Sequence, residues 1–197
     1  MSLITLPSLF MPRSVVFTQS VNQRVSAAPF GGSEQAVDLL NDRWLVSLEL
    51  PPHFNSTMAA MEAFIGALRG QTNWVNLWHF MRPAPRGTVR GTLTLNAAVA
   101  QGAASIEVTG CSPSTGTLLA GDVLGVGGLL LMVASDCTAV AGVITVPITN
   151  RVRTAQSGGA AVTWDKPTAP FRMLSTSGVQ YTPGVSQPVT FDFGEKI

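Results

Sequence analysis

The densest apolar run of the chain lies in AGDVLGVGGLLLMVASD (120–136), and a glycine pair cuts it in two. A membrane-spanning helix needs about 20 consecutive apolar residues. Residues 118–133 fall short of that and contain Asp122. A phosphate loop is excluded as well. Gly121, Gly125, Gly127 and Gly128 are followed by no Lys-Ser/Thr pair and by no ribose-binding acid in a βαβ context. The pattern instead predicts a strand at 122–126, a tight turn at Gly127-Gly128 and a returning strand at 129–134, because Gly-Gly supplies the positive φ that a two-residue hairpin demands.

The same signature recurs around it. GTLTLNAAV (91–99), ASIEVTG (104–110), GVITVPI (142–148) and AAVTWD (160–165) alternate apolar with small polar residues and are punctuated by Gly, Pro, Ser and Asn. Short strands with frequent turns predict a small barrel, of OB-like size, over 87–164. Between Gly91 and Asn150 there is no Lys or Arg, and Trp164 is the module's one aromatic, so it lacks the basic, aromatic face that single-stranded nucleic acid requires.

The flanks read differently. EQAVDLL and RWLVSLEL (43–50) are strand-like, with Asn41-Asp42 expected as a hairpin turn between them and Trp44, Val46, Leu48 and Leu50 on one face. PPHFNSTMAAMEAFIGALRG (51–70) is the one amphipathic helix, at about 55–69. Asn55 or Ser56 is expected as its cap, Met58, Met61, Ile65 and Leu68 share a face beside Phe64, and Gly70 ends it with Arg69 in the last turn. NWVNLWHF (73–80) returns as a strand, and the tail from Phe171 adds two or three more. Stiff proline crossings at MRPAPRG (81–87) and DKPTAPF (165–171) bracket the barrel, so it reads as an insertion. The expected organisation is mainly β (a β-rich α+β chain): a first domain of 1–86 plus 165–197, with 87–164 inserted.

Charged residues are only 12% of the 197, about half the usual share, and the net charge is +1. No global field attracts nucleic acid or an acidic membrane. A surface this neutral packs against other surfaces with little desolvation cost, which suits a subunit of a permanent assembly. Cys111 and Cys137 form no CxxC pair, and His53 and His79 are not spaced to complete a zinc site; two free thiols are expected, although a bridge within one module stays open. The start, MSLITLPSLFMPRSVVF, has no basic region before an apolar one, so no secretory signal is expected and folding in the cytoplasm follows.

The order of elements carries a resemblance. Strands, RWLVSLELPP, one helix, a Trp-rich strand, an inserted barrel with TGTLLAGDVLGVGGLLLMVASD and GVITVPITNRVRTAQSGGAAV, and closing strands at PVTFDFGEKI resemble the distal tail proteins of long flexible-tailed bacteriophages, in the branch whose second domain is an OB-like barrel. The likeness runs from about residue 33 to the C-terminus and includes a P-x-x-R-like exit at Pro147 to Arg151 and Arg153. It implies a structural protein of the virion tail tip. Its first domain would close into a ring, hexameric in that family, between the tail tube protein and the hub or baseplate protein, with the barrels outside and DNA passing through the lumen. The partners it implies are further copies of the chain, tube, hub, and tail fibres or a receptor-binding protein; no membrane and no sequence-specific nucleic acid. Terminal strands at 14–25 and 188–197 are expected to pair between subunits.

Other classes find less support. No G-x-S-x-G elbow is present; GCSPSTG (110–116) puts its serines in a Pro-containing turn. His53 follows Pro-Pro and His79 sits in a Trp-rich strand, both in structural settings. Asp122 and Asp136 flank the hairpin and are expected to cap backbone amides rather than to act as paired acids. No catalytic, cofactor or metal residue is assigned, and no enzyme activity is expected. A host-surface carbohydrate-binding module is the alternative function. Trp164 and Tyr181 form no evident platform for it, and Trp44, Trp74 and Trp78 suit a core or a ring interface better. Arg69, Arg82, Arg86 and Arg90 cluster near the first crossing, with Arg151, Arg153, Lys166 and Arg172 near the second, as structural contacts or as a dock for an acidic partner.

Overall fold

A computed structural model describes residues 1–27 and 31–196. In chain order the elements are β1 (Leu3–Ile4), β2 (Ser14–Ser20), β3 (Gln23–Ala27), β4 (Glu34–Asp38), β5 (Arg43–Leu50), α1 (Asn55–Leu68) and β6 (Trp74–Leu77). There follow β7 (Leu93–Leu95), β8 (Ser105–Thr109), β9 (Thr117–Leu118), β10 (Val123–Val126), β11 (Leu129–Met132), β12 (Cys137–Thr138), β13 (Val143–Pro147) and β14 (Ala161–Thr163). β15 (Ala169–Thr176), β16 (Tyr181–Thr182), β17 (Val185–Ser186) and β18 (Val189–Glu195) complete the order. The protein is mainly β with one helix, as the alternating runs imply.

The chain divides into two compact units. One holds Met1–Thr18, Trp44–Ala84 and Thr163–Lys196; the other holds Gln19–Arg43 and Pro85–Val162. The segment 19–43 therefore groups with the barrel-bearing stretch, whereas the sequence places it in the first domain. Residues 28–30 and Ile197, which the expected first domain includes, lie outside the described residues.

The first unit is built on a six-stranded sheet in the order β1-β6-β15-β18-β5-β2. Its apolar positions alternate: Val46, Leu48 and Leu50 on β5, Val75 and Leu77 on β6, and Phe191 and Phe193 on β18 are all buried. From α1 come Met58, Met61, Phe64 and Leu68, all buried, whereas Ile65, expected on the same face beside Phe64, is only half-buried. Phe10 joins helix to sheet, its ring 5.8 Å from Phe64 and 5.5 Å from Phe191. Each such side chain contributes about 1.5–3 kcal/mol on burial.

Three local expectations are corrected. The helix N-cap is Phe54, in extended conformation and without a capping side chain, because Asn55 itself is already the first helical residue. Asn41-Asp42 is not a hairpin turn: β4 pairs with β3, and β5 pairs with β18. Asp42 is instead buried, accepting the Asn22 backbone N–H at 3.2 Å and the Gln19 amide at 3.1 Å, so it spaces two elements rather than reversing them. Finally, β18 is interior, paired with β15 and β5, so within the expected pairing segment 188–197 the strand Val189–Glu195 has both edges used and offers none to a neighbour.

The second unit contains a six-stranded sheet in the order β11-β10-β14-β7-β8-β13. It curls until its outer strands meet just beyond their ends. Val133 and Ile148 form a bridge, the Ala134 N–H donates to the Pro147 carbonyl at 2.8 Å, and the Thr149 N–H donates to the Met132 carbonyl at 2.9 Å. The β10–β11 hairpin turns at Gly127 and Gly128, with φ of 54° and 80°, as the two-residue turn requires. All four β10 residues are buried, which is why this stretch reads as a solid apolar run rather than an alternation. The β3–β4 hairpin is the opposite case: all ten of its strand residues are exposed.

Candidate functional site

The residues that sequence singles out for chemistry are dispersed into structural roles. Asp122 is buried and accepts three backbone N–H groups, from Arg86 at 2.9 Å, Gly87 at 3.1 Å and Leu119 at 2.8 Å. Asp136 accepts the Ala120 N–H at 2.8 Å. Both aspartates thus hold loop amides, the role the turn context predicts.

His79 is buried and stacks on Phe17 at 4.6 Å. Its two ring nitrogens face donors of one residue: the Arg82 backbone N–H lies 3.1 Å from Nδ1, and the Arg82 guanidinium Nη2 lies 3.1 Å from Nε2. Burial, and then the Arg82 charge, push its pKa below the ordinary histidine value. A ring flanked by donors on both sides is a poor proton acceptor, not a general base aimed at a nucleophile. His53 is pinned elsewhere, its N–H donating to Ser186 Oγ at 3.1 Å and its carbonyl accepting from the Ser186 N–H at 2.8 Å.

Cys111 and Cys137 are both free thiols, and burial raises the pKa of each. Among the described residues no group of three or more His, Cys, Asp or Glu is placed to hold a metal, and no helix is long and apolar enough to cross a membrane. Three of the arginines near the crossings, Arg86, Arg90 and Arg151, are engaged by their own chain. The Arg86 guanidinium donates to the Ala120 carbonyl at 2.6 Å, and that of Arg90 donates to Gly87 and Val89 at 2.9 and 2.6 Å. Arg151 bonds Asp38 at 3.2 Å.

The seven-residue strand β2 (SVVFTQS) forms one edge of the first unit's sheet and β1 forms the other. Val16 is 54% exposed on that edge strand, which carries no charge and no proline. Beside the sheet lies an apolar groove of about 640 Å³, walled by Leu6, Phe10, Met11, Trp78, Phe80 and Met81, with Lys166 the one charged lining residue among the described residues. Trp78 and Phe80 pack at 4.6 Å, and Met11 and Met81 stand 72% and 54% exposed at its rim. The Lys166 N–H donates to the Pro83 carbonyl at 2.6 Å, which ties the two proline crossings together beside groove-lining residues.

Sequence reasoning missed this groove. Its N-terminal wall, TLPSLFMP (5–12), is apolar but interrupted by prolines, so it has neither helical nor strand periodicity; apolar residues confined between prolines are the only signal it leaves. Of the tryptophans, Trp44 is buried in the core, while Trp78 lines the groove and Trp74 lies under the Lys196 ammonium at 3.7 Å. No family model matches the chain, and no curated protein matches it.

Proposed function

We propose that the protein is a ring-forming structural subunit of a bacteriophage tail tip, a distal tail protein that joins the tail tube to the hub or baseplate around the channel for DNA ejection. On this reading it folds in the host cytoplasm, assembles as a hexamer and resides in the virion. The observation that carries it is the edge strand β2. Native proteins guard a long edge strand with lysines, prolines, bulges or covering elements. β2 has seven residues, no charge and no proline, and its odd and even positions both include exposed side chains or half-buried ones. An unguarded edge on a weakly charged chain is a pairing surface. Because β1 and β2 lie at opposite edges of one sheet, pairing of unlike edges between copies is head-to-tail, the geometry that closes into rings.

The test is direct. Light scattering at micromolar concentration and physiological salt is expected to give a discrete oligomer, and negative-stain images closed rings. A protein that stays monomeric under those conditions defeats the reading. The alternative, a carbohydrate-binding accessory role, predicts instead that the protein sediments with host envelopes.

A further inference from the structure

Among the described residues the β3–β4 hairpin has no third strand and no buried face. Its strands pair only with each other, from Gln23 opposite Asp38 to Ala27 opposite Glu34, and Val25 and Val37 are 51% and 45% exposed. Water reaches the ladder from both faces, and little apolar burial holds it. Segments of that kind open at a lower free energy than the core to which they are attached.

The hairpin is fixed at its root. Asp42, just before β5, is 6% exposed. One of its carboxylate oxygens accepts the side-chain amide of Gln19, on β2, at 3.1 Å. The other accepts the backbone N–H of Asn22, between β2 and β3, at 3.2 Å. The Asn22 carbonyl in turn accepts the Leu39 N–H at 2.8 Å. One buried carboxylate thus cross-links the chain entering the hairpin to the chain leaving it. A second tie lies outside: Asp38 meets Arg151 at 3.2 Å, with the side chains 43% and 45% exposed. An exposed ion pair contributes little, whereas hydrogen bonds to a charged acceptor are among the stronger ones, so Asp42 is the dominant tie. Leu40, between the two ties, has φ of 61°, a conformation that a residue with a Cβ keeps only where its surroundings hold it.

We propose that the β3–β4 hairpin is an arm that opens and closes as one unit while the rest of the chain stays folded, with Asp42 as the latch at its root. None of the buried side chains belongs to β3 or β4, so opening breaks the ladder and the root contacts and uncovers no core. The device goes beyond the self-assembly reading and does not depend on it.

Hydrogen exchange and limited trypsin digestion of the full-length protein test it. The amides of Gln23–Ala27 and Glu34–Asp38 are expected to exchange together, about a hundredfold or more faster than those of Leu48 and Phe191 in the paired strands β5 and β18. Trypsin is expected to cut after Arg24, exposed on β3, at a rate set by the open population. Asp42→Ala is expected to speed that cut about tenfold, the loss of hydrogen bonds to a charged acceptor, while Leu48 and Phe191 keep their protection. Arg151→Ala is expected to speed it less than about threefold. If circular dichroism shows Asp42→Ala unfolded, Gln19→Ala takes its place, removing one donor to the latch and speeding the cut about threefold. Hairpin amides protected as well as those of Leu48 and Phe191 at every dilution overturn the arm. A latch variant that is cut no faster, or that loses protection at Leu48 and Phe191 as much as in the hairpin, overturns the latch. So does an Arg151→Ala protein whose arm opens more than that of the latch variant.

Discussion

Asp122 shows how one carboxylate can organise a module. Three loop amides converge on it, so Asp122→Ala leaves three N–H groups without their acceptor and is expected to cost about 3 kcal/mol. Asp136 serves one exposed amide, and Asp136→Ala is expected to cost about 0.5–1 kcal/mol. Urea denaturation of the two variants checks the contrast. His79 makes a pH-dependent contribution of known sign. Its folded-state pKa lies below the unfolded value, so the unfolded chain takes up the proton first. Stability is full above the ordinary histidine pKa, about 6.5. It falls as pH drops from there to the folded pKa and loses nothing more from this group below it. The melting temperature of the wild type is expected to decline on acidification through that window more than that of His79→Phe, which removes the titration.

At the scale of elements, backbone geometry separates glycines that are spatially required from those that are only conformationally convenient. Gly110 closes β8 with φ of 86°, and a Cβ there would lie 2.2 Å from the Thr92 backbone carbonyl beside β7. Gly178 has φ of 73° with nothing within 4 Å of a Cβ. Gly110→Ala is therefore expected to destabilise by about 3 kcal/mol or more, through strain and forced separation of backbones. Gly178→Ala costs only the left-handed conformation, about 1–2 kcal/mol. Thermal melts of both variants decide this. The helix was legible at this scale because Met58, Met61 and Leu68 recur at its period; its cap was not, because His53 is held by Ser186, 133 positions away, and Phe54 is bridged to Val185.

For the whole molecule, β2 and the β3–β4 hairpin are strands that carry exposed side chains on the described surface. A two-stranded hairpin without a buried face is marginal by itself in water. The base of this one is secured by Asp42 and by the Asp38–Arg151 pair. On the ring reading, a charge on the neighbouring edge strand blocks pairing without touching the core. Val16→Lys is expected to lower self-association at least tenfold while the melting profile stays that of a folded protein. Light scattering across a dilution series measures it.

The sequence by itself determined the β-rich class, the position of the single helix and the Gly127-Gly128 hairpin, and it identified Asp122 and Asp136 as amide acceptors. Each of these depends on torsional preference or periodicity within a few residues. Only the tertiary structure decided that β18 is interior and β2 an edge, that β4 pairs with β3 instead of β5, and that Leu6, Phe10 and Met11 meet Trp78, Phe80 and Met81 to wall one groove. Strand pairing is a competition among many similar apolar segments. Its winners are joined by contacts such as the Trp44 amide to Glu195, 151 positions apart, which no local pattern encodes.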